Sequence, residues 1–239
     1  VGSLNTATLP GAGYSWLRYA QLLDSALPVG GFSHSFGLET AVQSGKLVNI
    51  DDLRLYSQTM LFHAWAPMDL MAIKAVYKYS PHGDWENIWL VDQIQHVQRI
   101  AVETREGSQK MGRRLLRLSH TMYPDMLWDP IDHAIQSGKC KATYPIIHGW
   151  VACQLSVPLV QAAEGFLYTN ITHCINSALR LMSIGQTEGQ SLLAELFPLV
   201  SAAWQSVARL DPLDCFSNSP AADIYQMRHE TLYSRLFMS

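Results

Sequence analysis

Apolar residues recur every three or four positions along most of this chain, and strict alternation of apolar and polar residues is almost absent. That pattern predicts helices and no sheet. Over residues 14–26, Trp16, Tyr19, Leu23 and Ala26 share one helical face before Pro28 ends it. A short helix is expected over 36–44, with Gly45 as its C-terminal stop. Asp51 or Asp52 can cap a helix carrying Leu53, Tyr56, Met60 and Ala64, and Pro67 is expected to divide it from the next. Pro81-His82-Gly83-Asp84 reads as a turn that ends in an N-cap aspartate.

The longest periodic run is Ile94, Val97, Ala101, Thr104, Ser108, Met111, Leu115, Leu118 and Met122. One long packed helix, or a helix pair, would present such a stripe. Thr104, Gly107 and Ser108 make its middle small, so that another backbone can approach or the helix can bend. Arg99, Glu103, Glu106, Lys110, Arg113, Arg114 and Arg117 fall on the outer face, with opposite charges at i,i+4 in Arg99–Glu103 and Glu106–Lys110. Further helices are expected over 129–138, 158–182 and 187–210. Ser219-Pro220 would open the last one, with proline at its first position. The expectation is one all-α domain of about ten helices. Residues 1–13 are expected to be a flexible extension, 14–219 the body, and 220–239 a terminal helix and partner-binding tail.

That tail stops on Leu236, Phe237 and Met238. Side chains of this size cost roughly 1.5–3 kcal/mol each to leave in water. Either the chain's own core or another protein must cover them.

Hydrophobic residues make up 48% of the 239 positions and charged ones only 15%, against about 25% in ordinary soluble domains. Such a surface suits either a large core or coverage by other subunits. The net charge of −3 supplies no basic field for a phosphate backbone, which argues against nucleic acid. Cys140, Cys153, Cys174 and Cys215 lie far apart, as reduced thiols in a cytoplasmic protein would. No secretory signal pattern opens the chain. It begins on Val1 rather than methionine, which leaves its native start open. Residues 142–163 lack Asp, Glu, Lys and Arg, but Pro145, Gly149 and Pro158 interrupt them. They read as two buried helices rather than a membrane span.

Catalytic signatures are missing. Ser44-Gly45-Lys46 and Ser137-Gly138-Lys139 lack the first glycine and the following Ser/Thr of a P-loop, and read as helix ends with glycine and lysine at the negative dipole end. Gly30-Gly31 lacks the strand and third glycine of a dinucleotide fingerprint. No histidine or cysteine pair has chelating spacing; His148, His173 and Cys174 read as core residues. No cofactor, metal site or catalytic residue is expected.

Four phrases, in order, give the chain a resemblance. The first is Asp24-Ser25-Ala26-Leu27-Pro28-Val29-Gly30-Gly31-Phe32-Ser33-His34-Ser35-Phe36-Gly37-Leu38-Glu39, and the second runs from Glu103-Thr104-Arg105-Glu106-Gly107 to Arg113. The third runs from Ala178-Leu179-Arg180-Leu181 into Gly185-Gln186-Thr187-Glu188-Gly189-Gln190. The last is Asp223 with the closing His229-Glu230-Thr231-Leu232-Tyr233-Ser234-Arg235-Leu236-Phe237. Together they resemble the urease accessory protein family UreF over nearly the whole chain. The resemblance implies a cytoplasmic, non-catalytic homodimer that bridges a UreD-type accessory protein (also called UreH) and the UreG GTPase on apo-urease, for nickel insertion. It implies partner-binding roles for Glu39, Arg180, Gln186, Gln190, His229, Glu230, Tyr233, Ser234, Arg235, Leu236 and Phe237. It also favours a partner as the cover for the tail. Physically, Gly30 and Gly31 permit a tight turn of positive φ. His34, Ser35 and Glu39 would sit on the first turns of the next helix, and Gln186 with Gln190 would share a face, either in a core hydrogen bond or toward a partner. A different class, a helical enzyme assembled from His34, Glu39, Glu103 and Arg180, remains the alternative, as does a GTPase activator acting through Arg180 or Arg235.

Overall fold

A computed structural model describes residues 14–239; the extension expected over 1–13 lies outside them. Among the described residues there are eleven α-helices and no strand. They are α1 (Ser15–Leu23), α2 (Leu38–Gln43), α3 (Ile50–Met60), α4 (Leu70–Tyr79), α5 (Trp85–Gln98), α6 (Val102–Met122), α7 (Asp129–Gln136), α8 (Tyr144–Gln154), α9 (Leu159–Leu181), α10 (Gln186–Val207) and α11 (Pro220–His229).

Helix α4 is the axis. Leu70, Met71, Ala72, Ile73, Ala75 and Val76 are all buried, because α5, α8 and α9 pack around it. A helix apolar on nearly every side has this fate. Gly149 lets α8 approach closely: a Cβ there would stand 2.9 Å from the Ile73 Cα. The apolar stretch over 142–163 is α8 and the start of α9, both buried. Among the described residues no helix is long and apolar enough to cross a membrane.

Several local expectations need correction. Pro67 does not divide two helices; it lies within a π-helical segment, Leu61–Asp69, that runs from α3 into α4. The wider turn has room for a residue without an N–H, and the freed carbonyls of His63 and Pro67 accept N–H bonds from Asn218 and Phe216. The cap of α3 is Asn49 rather than Asp51 or Asp52, and Asp52 completes its capping box. The long stripe is a helix pair, broken at residues 99–101. Arg99 turns inward to Asp69 there instead of pairing with Glu103, while Lys110 and Glu106 do pair. Gly107 gives close approach to the His34 ring, not to a backbone. Ser219 precedes α11, but its hydroxyl caps nothing; Pro220 does take the first position. Asp84 caps α5 as expected.

Helix α11 returns against α2 and the N-terminal part of α6. The tail beyond it thereby reaches the turn that precedes α2, and this placement creates the site described next.

Candidate functional site

Gly37, with φ of 91°, stands at the N-cap of α2. A Cβ there would meet Gln226 of α11, 2.9 Å from its side chain and 3.1 Å from its backbone nitrogen. Glycine is therefore required both by the left-handed turn and by the closure of α11 onto α2. The next turn carries Glu39, whose burial is almost complete. His34 and Ser35 precede α2 rather than opening it, so that only Glu39 stands at the positive end of that helix.

A buried carboxylate must find donors, and Glu39 finds them in the tail. Its Oε1 accepts the N–H of Leu236 (2.7 Å), and its Oε2 accepts that of Phe237 (3.1 Å). His229 Nε2 lies 3.1 Å from the same Oε2. The other ring nitrogen of His229, also fully buried, lies 2.6 Å from Glu103 of α6. Arg235 donates to the second oxygen of Glu103 at 2.6 Å. Beyond this cluster, Met238 donates its N–H to the Ser33 carbonyl (2.8 Å). The main-chain oxygen of Ser239 accepts the N–H groups of Ser35 and Phe36 and the Ser35 hydroxyl. The Ser239 hydroxyl meets His34 Nδ1 at 2.7 Å.

The extended tail consequently alternates. Phe237 and Ser239 face inward, while Leu236 and Met238 are exposed. Arg180, at the end of α9, clamps the inward side, with its guanidinium carbon 4.3 Å from the centre of the Phe237 ring and 4.5 Å from that of Phe32. It also donates to the Phe32 carbonyl (3.2 Å). Phe32 itself is 66% exposed, so an apolar and cationic surface made of Phe32, Arg180, Leu236 and Met238 lies in the open.

Of the residues the resemblance pointed to, Glu39, Arg180, His229, Arg235, Leu236 and Phe237 gather here, and Ser234 joins through its carbonyl, which accepts from Gln43. Glu230 is exposed, and Tyr233 is wholly so. Gln186 and Gln190 are exposed on the first turns of α10, which removes the core hydrogen bond as their role; Gly189 beside them packs on Ile175 and Leu179. Of the two covers expected for the tail, its own domain buries Phe237 and His229, while Leu236 and Met238 stay exposed. Sequence reasoning did not assign Glu103, Phe32, Gln43 or Ser239 to the tail. Glu103 and Phe32 do stand inside the resemblance phrases, the one available signal.

Behind the tail lies a cavity of about 110 Å³, lined in part by His34, Thr104, Ser108, His173, Cys174 and Ser219. The Thr104 and Ser219 hydroxyls have no partner. Burial pushes the Cys174 thiol up to about 12 and lowers His173, so the pair is neutral at neutral pH and offers no thiolate nucleophile. Burial, then Lys110 and Arg114, lower His34 to about 4. Among the described residues no three metal-ligating side chains converge. Glu39 and Glu103 stand on opposite nitrogens of His229 and cannot close on one ion.

The UreF family model matches residues 47–197. The chain belongs to the UreF family. It is 34% identical to the urease accessory protein UreF of Bacillus sp. (strain TB-90) over 227 residues, covering 93% of this chain and 98% of that one. Identity to the urease accessory protein UreF of Lachnoclostridium phytofermentans is 32% over 223 residues (93% and 98%), and to that of Actinobacillus pleuropneumoniae 34% over 221 residues (91% and 96%). Membership in the UreF family puts the chain in urease maturation and associates it with other accessory proteins.

Proposed function

We propose that this chain is a non-catalytic scaffold of the cytoplasm that joins a UreD-type accessory protein to a UreG-type GTPase on apo-urease, so that nickel reaches the enzyme as cargo of the assembly. The observation that carries this reading is the tail, which is fixed from below through Glu39 and Phe237 yet offers Leu236, Met238 and the neighbouring Phe32 to the outside. An apolar patch rimmed by one cation has the usual composition of an interaction hot spot. The UreD-type protein is its partner in this reading.

A homodimer fits a second surface. Trp16 and Phe197, 67% and 49% exposed, line one groove with Tyr168 between α1, α9 and α10. Exposed aromatics gathered in this way mark contact sites. The activator reading is less well supported, because an arginine finger needs a free guanidinium. Arg180 is held over two rings and Arg235 is paired with Glu103. The enzyme reading has the same weakness: the polar atoms of Glu39 and Glu103 are taken up by the tail.

The test is removal of residues 229–239 followed by co-purification with UreD-type and UreG-type proteins and by a circular dichroism melt. The expected result is loss of the UreD-type complex with helical content retained. A truncated chain that still binds the UreD-type protein overturns the assignment of the tail, and tight GTP binding by the intact chain alone overturns the scaffold.

A further inference from the structure

His229 is placed between two carboxylates, with each ring nitrogen within bonding distance of one of them. A neutral imidazole has one N–H and one lone pair. It can therefore satisfy one carboxylate only, and its lone pair then faces the other across a hydrogen-bond distance with no proton between them. The arrangement closes only if an additional proton is present, either as an imidazolium or as a carboxylic acid. The count is independent of which atom carries it.

We propose that docking of the C-terminal tail takes up one proton, held among Glu39, His229 and Glu103, so that the partner-facing surface is assembled in the protonated state and released as the pH rises. The proposal rests on the reading of the tail as a partner surface, and adds its regulation.

The surroundings agree. When the proton is present, the two carboxylates are balanced by one positive charge in the cluster and by Arg235. When it is absent, a buried site retains a net negative charge, which is costly at low dielectric. The charged groups that face the cluster are Glu39 from α2, Glu103 from α6 and Arg235 from the tail. His34, from the turn before α2, is the nearby histidine. Its own titration is moved down to about 4, with burial the largest cause, so it stays neutral where the switch operates. Lys110 and Arg114 act on His34 from α6. Glu39 holds His229 and the Leu236 and Phe237 N–H groups together, so loss of the proton acts directly on the backbone of the segment that presents Leu236 and Met238.

Solvated imidazoles lose their proton above about pH 6.5 and solvated carboxyl groups well below it, so the released tail carries no additional proton above that pH. Above that pH the docked state binds one proton more than the released state. By linkage, docking then weakens about tenfold for each pH unit, until the docked cluster itself deprotonates.

The experiment uses the full chain alone, without partners. Amide hydrogen exchange of Leu236 and Phe237 is followed from pH 6 to 9, with the intrinsic base-catalysed rate divided out. The expected result is a protection factor that falls about tenfold per unit above pH 7. Glu103→Gln offers a neutral amide that can donate to the lone pair of His229. It should keep the tail docked and flatten the pH dependence. Protection in the unaltered chain that does not change from pH 6 to 9 overturns the proposal, as does an equal slope in a docked Glu103→Gln variant. If that variant does not dock, the slope of the unaltered chain alone decides. A chain lacking residues 229–239 that still binds the UreD-type protein, with this slope intact in the full chain, would instead overturn the partner reading and leave the switch standing.

Discussion

Asp92 and Glu39 are both buried carboxylates that hold a distant piece of chain, and they do it with different donors. Asp92, on α5, accepts the N–H groups of Lys141, Ala142 and Thr143 and the Thr143 hydroxyl. The Cys140 thiol adds a weak bond. Every donor comes from the short loop between α7 and α8, which includes Ala142 at φ of 58°. None of them titrates near neutral pH, and the Cys140 thiol is pushed further up, mainly by burial. Glu39 accepts two backbone N–H groups in the same manner, and the Gln43 amide, but it also meets a histidine shared with a second carboxylate. The first device is a permanent staple that lets α6 pass close to the loop; a Cβ on Gly112 would collide with the Ala142 carbonyl. The second is a clasp whose closure depends on solution conditions. One chain thereby carries both: one region to remain folded, and one to change its surface.

The largest effect should come from breaking the staple. Asp92→Ala leaves several buried neutral donors without an acceptor, and each such unsatisfied group costs about 1–3 kcal/mol. Urea unfolding of the full chain measures this. A loss below about 1 kcal/mol would mean that water enters the loop and that Asp92 is not a staple.

An effect smaller per pH unit, and of opposite sign in the two regions, should come from pH. His148 is fully buried among Tyr19, Tyr144 and Phe166, and burial lowers it to about 3. The folded state then binds fewer protons than the unfolded one between about pH 6.5 and 3. Stability should thus fall with falling pH across that window, by up to about 1.4 kcal/mol per unit from this residue. His148→Phe should remove that slope together with the titrating ring, and the Tyr19 hydroxyl keeps the Ala162 carbonyl as acceptor. Urea midpoints at pH 7, 6, 5 and 4 check it. Acid weakens the core while it favours the clasp, and one chain should show both signs.

The helices were legible because their stripes are local. Leu70 to Val76 or Leu192 to Val207 need no knowledge of the partner surface to be recognised as buried faces. Positive φ at Gly30 was legible for the same reason. The errors fall where a distant residue decides. Pro67 is tolerated because Phe216 and Asn218 donate N–H groups to the disturbed turn, and Arg99 leaves the helix line because Asp69 is opposite. Of the site, the tail and Glu39 were visible as a resemblance, but the triad was not. Its members are separated by 126 and 190 positions, and no spacing rule joins residues so far apart.

A third prediction separates the clasp from its rim. Arg235 is 41% exposed in its pair with Glu103, and exposed pairs contribute about 0–1 kcal/mol. Arg235→Ala should leave the melting midpoint nearly unchanged yet weaken UreD-type binding at least about tenfold, a factor worth about 1.4 kcal/mol. Binding measured by calorimetry against the melt tells the two apart. A large stability loss with unaltered affinity would put Arg235 in the fold rather than in the interface.

The smallest structural effect belongs to Gln186 and Gln190. Both are exposed on the first turns of α10, and neither takes part in the bonds that hold the tail. Exposed substitutions away from special features usually change stability by less than about 0.5 kcal/mol, so the double variant Gln186→Ala, Gln190→Ala should fold and clasp its tail normally. The family resemblance implies that these residues face a partner; if that partner is the GTPase, the variant should lose UreG-type binding and keep UreD-type binding, the reverse of tail removal. Co-purification with each partner in turn measures both. Loss of both partners would show that the two surfaces are one, and loss of neither would leave Gly189, packed on Ile175 and Leu179, as the structural reason for this stretch of sequence.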